Sequence, residues 1–167
     1  MRIAISRTGS SEHIAIERAD GSTARATIPQ KGVVSHDIVH FCVEDTLGLD
    51  RGFWGSVAAG EDPALIQERA KAGGHASAKR AKAPDESIVE LLQAERLVEC
   101  FEAESWGGGA DDEGLLAMAR AGWAASHVPP LALDAGQLAA IRRQLAELGA
   151  RWKATPERAT MELQWDR

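Results

Sequence analysis

No apolar run in this chain approaches the roughly 20 residues that cross a bilayer as a helix, which excludes a membrane-spanning helical protein. Cysteine is scarce too. Cys42 and Cys100 stand alone inside apolar helical patterns without CxxC spacing, so neither a disulfide framework nor a thiolate metal site can be built from them. Positive charge is also short, 19 Lys and Arg against 25 Asp and Glu, and the net charge of −6 argues against nucleic acid as a partner, because phosphate binding needs a cationic surface. The N-terminal stretch Met1-Arg2-Ile3-Ala4-Ile5-Ser6-Arg7 turns polar too soon for a secretory signal, and the reading is a cytoplasmic protein. Gly55-Ser56 lacks the GxSxG nucleophile elbow and Gly73-Gly74 lacks P-loop spacing, so serine-hydrolase and phosphate-cradle motifs are both missing, and no organic cofactor is indicated.

What is present is ordinary globular material. In 167 residues, 44% are hydrophobic and 26% charged, enough to bury a core without a disulfide or structural metal, and the expectation is a single domain over 1–167. Ile3 and Ile5 alternate, Thr8-Gly9-Ser10-Ser11 turns, Ile14 and Ile16 alternate again, and Asp20-Gly21 makes a second turn before a return strand from Thr23 to Ile28. Alternation resumes over Ala159–Trp165 after Pro156. These features predict an α+β fold: three N-terminal strands and a C-terminal strand in one small antiparallel sheet, covered by about four to five helices. The predicted helices are His36–Leu47, capped by Ser35 and stopped by Gly48; Phe53–Ala59; one beginning at Asp85 and closed by Gly107-Gly108-Gly109; Asp112–Ala125; and one opened by the Asp134/Gln137 capping box. The stretch 63–84, with Gly73-Gly74 and the Lys79, Arg80, Lys82 cluster, reads as a mobile loop with one or two helical turns near Ala64-Leu65-Ile66.

The chemistry concentrates in Ser35-His36-Asp37-Ile38-Val39-His40-Phe41-Cys42-Val43-Glu44. At about 100° per residue, His36, Asp37, His40 and Glu44 share an arc of roughly 100° on an otherwise apolar helix. Histidines at i and i+4 can offer two imidazole nitrogens to one divalent ion, with Asp37 or Glu44 as the carboxylate, a donor set suited to zinc or iron. The same residues also suit a solvated helix face on which Asp37 favours the positive N-terminal end. His13 and His127 fit a strand position and a helix end, and His75, in the Gly-rich stretch, could swing in as a third ligand or serve no site.

The HDxxH run resembles the HExxH signature of zinc metallopeptidases with Asp in place of Glu. It is closer to the zinc motif of a ubiquinone-biosynthesis protein family, a resemblance that implies zinc at His36, Asp37 and His40. A longer pattern, His36-Asp37-Ile38-Val39-His40, Val43-Glu44, Leu47-Gly48-Leu49, Gly52-Phe53-Trp54-Gly55 and Ala58-Ala59-Gly60, resembles a family of small uncharacterised bacterial proteins with an HDxxHxxVE…LG…GFWG core. That resemblance implies a shared fold and no reaction. Gly52 and Gly55 would let backbone approach closely while Phe53 and Trp54 either wall a pocket or fill a helix corner. Two functions follow as expectations: a divalent-metal domain with a small-molecule or hydrolytic role, or a non-catalytic interaction domain meeting a protein partner through an exposed Trp or the basic cluster.

Overall fold

Alternating isoleucines at the N-terminus build the sheet that the rest of the chain covers. In the computed structural model, described for residues 1–30, 32–80, 83–108 and 111–167 and for the side chains of these other than 74–80, the strands are β1 (Arg2–Thr8), β2 (Ser11–Glu17), β3 (Thr23–Pro29) and β4 (Thr160–Gln164). They form one antiparallel sheet in the order β3-β2-β1-β4. Register places Ile3 opposite Ile16 and Leu163, and Ile5 opposite Ile14 and Met161, so six apolar side chains form one buried face. The chain ends are neighbours: the Met1 ammonium donates to the Trp165 carbonyl at 2.6 Å, and the Trp165 amide donates back to Met1 at 2.8 Å.

The helices are α1 (His36–Leu47), α2 (Phe53–Ala58), α3 (Pro63–Arg80), α4 (Val89–Gly107), α5 (Asp112–Ala125) and α6 (Ala135–Ala154), with a 3-10 turn at Glu86–Ile88 before α4. Helix α1 packs between α4 and α6, and its Phe41 ring meets Trp165 edge-on at 5.7 Å, joining the sheet's buried row to the helical core. Asp134 and Gln137 form the expected capping box on α6. Both cysteines are buried and unpaired, and burial pushes the Cys42 thiol up to about 12. Among the described residues, no helix is long and apolar enough to cross a membrane.

Two expectations change. The stretch 63–84 is helical over Pro63–Arg80, making six helices where four to five were expected; Ala81 and Lys82 lie outside the described residues. Pro63 opens α3 where a missing amide costs nothing, Asp62 accepts from the amides of Ala64 and Leu65, and Ile66 is wholly buried. Gly73 looks like a helix breaker in sequence, yet a Cβ there would stand 2.4 Å from Ile88 Cδ1, so the glycine is what lets α3 lie close to the 3-10 turn. The second change is at Ser35, whose side chain makes no cap hydrogen bond to α1. Its hydroxyl donates instead to Glu12, a carboxyl buried on the inner face of β2.

Candidate metal centre

Helix α1 is buried on nearly every side, including its polar wedge. His40 is 3% exposed, Asp37 2% and Glu44 0%, which removes the reading of these residues as a solvated face; His36 is part-buried at the helix start. Each histidine is held from behind by a carboxylate. His40 Nδ1 donates to Glu44 Oε1 at 2.8 Å, and His36 Nδ1 to Glu102 Oε1 of α4 at 2.9 Å. Both Nε2 atoms then face Glu95, two turns before Glu102 on α4, at 3.1 Å from His40 and 3.8 Å from His36. Ligating atoms of His36, His40 and Glu95 all lie within 4.8 Å of one another.

The two histidines singled out in the sequence lie together, and the carboxylate brought to them comes from α4. Asp37 and Glu44 are not part of the converging set. Glu44 has other partners: besides His40, it accepts from the Phe53 amide at 2.9 Å and the Trp54 amide at 2.8 Å, so it closes the N-terminus of α2. Gly52 makes this contact possible. A Cβ at that position would stand 2.5 Å from Glu44 Cδ, and one at Gly55 would stand 2.2 Å from the Asp50 carbonyl oxygen. Of the two aromatics between these glycines, Phe53 lines a cavity beside His40 and Trp54 fills the core, its indole N–H donating to the Asp37 carbonyl at 2.9 Å.

Electrostatics follow from this crowding. Burial opposes a charged imidazole at His40, but hydrogen bonds and charge from Glu44 and Glu95 outweigh it and raise its pKa well above 6.5. Burial likewise favours a neutral Glu95, yet His40, His36 and Arg96 together hold its carboxyl down at about 2. Asp37 behaves in the opposite way: burial pushes its pKa up against the charges of the two histidines, and its Oδ2 is buried with no hydrogen-bond partner.

Glu95, Glu99 and Glu102 were the missed signal. They recur at helical spacing on α4, and all three line the same cavity as the histidines. That cavity, about 660 Å³, is bounded by α1, α3, α4, α5 and the end of β3. Two further histidines stay apart from it: His13 is exposed beside Thr27, and His127 is exposed at the end of α5. The side chains of His75, Lys79 and Arg80 lie outside the described residues, as does Lys82. Trp106 is the exposed tryptophan, at 71%. Comparison of the chain with protein-family models, curated proteins and solved structures gives no match, so a functional reading rests on the geometry of this site.

Proposed function

We propose that this protein binds one divalent metal ion through His36 Nε2, His40 Nε2 and the Glu95 carboxylate, and receives a small molecule in the adjoining cavity. The observation that carries the reading is the paired support behind the histidines. Metal-bound imidazoles typically donate their second ring N–H to a carboxylate, which fixes the tautomer and aims the other nitrogen. Here Glu44 and Glu102 do this for both rings, and the two freed nitrogens converge on a third carboxylate. Two imidazoles and one carboxylate suit zinc, iron or manganese and leave coordination positions open. A divalent ion held there supplies Lewis acidity to an oxygen donor in the cavity, the chemistry on which a hydrolytic role depends.

Protein purified without a histidine tag and dialysed against zinc, iron(II) or manganese should retain about one equivalent of one of them and gain thermal stability. Glu95→Ala should abolish that retention. Absence of both stoichiometric metal and any stabilisation on metal addition would remove the reading.

A further inference from the structure

We infer that the cavity takes an uncharged molecule with an apolar body that presents one oxygen donor to the metal, an assignment that rests on the metal reading above. Size comes first. At about 660 Å³ the cavity lies in the range of small-molecule sites, far larger than a coordinated water needs. An apolar strip runs along its wall beside the charged groups of α4: Ile28 from β3, Phe53 from α2, Ile66 and Ala70 from α3, and Leu91 from α4. Ile28 and Ala70 are part-buried and carry the accessible share of this apolar surface, packed over the buried Phe53, Ile66 and Leu91. Small residues of α5, Gly122 and Ala125, complete the lining.

Charge decides the rest. The ionisable groups on the wall besides the two histidines are the carboxyls of Asp37, Glu95, Glu99 and Glu102 and the cations of Lys71 and Arg96. A divalent ion added to these brings the formal charge to balance, leaving none for an ionic ligand to neutralise. Arg96 is already engaged, its Nη1 lying 2.9 Å from Glu99. An anionic tail would meet carboxylates on α4 along most of its length, and a cationic head would meet the metal. The remaining match is an apolar body with a neutral oxygen-bearing group, such as an ester, amide or ketone.

The test uses the zinc-loaded full chain and a series of straight-chain primary amides, neutral in solution and with the carbonyl oxygen as donor, from acetamide upward. Calorimetric titration should show binding tighten by about fourfold per added methylene until the cavity is filled, the fold-change equivalent to burying one CH₂ at about 0.8 kcal/mol. A probe of equal length ending in a carboxylate should bind at least tenfold more weakly than its alkyl counterpart. Ala70→Phe, which projects a ring into the cavity from α3, should flatten the chain-length dependence while zinc content and acetamide binding persist. Retained zinc with length-independent affinity, or a carboxylate-tailed probe that binds as well as the alkyl one, would overturn the inference and leave the metal reading standing. The same length dependence in metal-free protein would also overturn it, because the donor would then not be on the metal. Failure to hold zinc at all would overturn both.

Discussion

His40 Nδ1 and Glu44 Oε1 meet at 2.8 Å one turn apart on α1, and the same carboxylate also accepts the first two amides of α2. One buried side chain therefore aims a histidine and closes a helix. Glu44→Ala should lose both functions, costing about 3–5 kcal/mol of stability, as removal of one member of a buried charged pair usually does. Gly52→Ala should damage the same point from the other side: the added methyl pushes into the Glu44 carboxyl. The expected cost is about 1–3 kcal/mol, with a loss of roughly tenfold in metal affinity. Denaturant unfolding measures the first and competitive chelation the second; a Gly52→Ala protein matching the parent in both would show that the contact is dispensable.

The two histidines should separate in their effect on folding. Both alanine variants should lose metal, but His40 is buried between two carboxylates whereas His36 is 29% exposed at its side chain. His40→Ala should cost more stability than His36→Ala in metal-free protein, because it leaves Glu44 and Glu95 without their shared partner. Val39→Ala, which removes buried methyl groups, calibrates the assay at about 1 kcal/mol or more. Equal stability of the two histidine variants would contradict this assignment.

Metal-free protein and metal-loaded protein should respond to pH in opposite senses. The folded pKa of His40 lies well above its unfolded value near 6.5, so its contribution to stability is complete below the unfolded value and is lost as pH rises through the folded one. Metal binding must displace that proton, so affinity should climb over the same interval. Thermal melts of chelator-treated protein between pH 6 and 9, beside metal titrations over the same range, read both trends. A metal-free stability that rises with pH across that window would show that the imidazole is not held charged.

Strand β4 should be indispensable. Met161 and Leu163 cover β1, and Trp165 is wedged against Phe41 with its backbone bonded to Met1. Removing residues 157–167 exposes the inner row of β1 and leaves that strand at an unpaired edge. The truncated chain should lose cooperative thermal unfolding; a melt with the parent's midpoint would show that the sheet stands on three strands.

Period-2 alternation at Ile3/Ile5 and Ile14/Ile16, the Asp134/Gln137 box and the helical spacing of Leu91, Leu92 and Leu97 were legible because each is a local signal with one physical reading. Helix α3 was obscured by Gly73, whose reason for being there is a contact with Ile88, fifteen positions away in the chain. The site was half legible for a related cause. His36 and His40 share a helix, so spacing reveals them, whereas Glu95 reaches them only once α4 has packed on α1. Nothing local to α1 shows that the amides of Phe53 and Trp54 will claim the oxygens of Glu44.

The separation of 55 positions between His40 and Glu95 also bears on how the protein would acquire an ion during synthesis. A nascent chain that has exposed α1 but not yet α4 offers two imidazoles and neither Glu95 nor Glu102. It can hold a divalent cation only loosely, in competition with every other thiol and imidazole in the cell. The grip closes when the second half of the chain docks, so metal loading would act as a seal on completed assembly rather than as a seed for it.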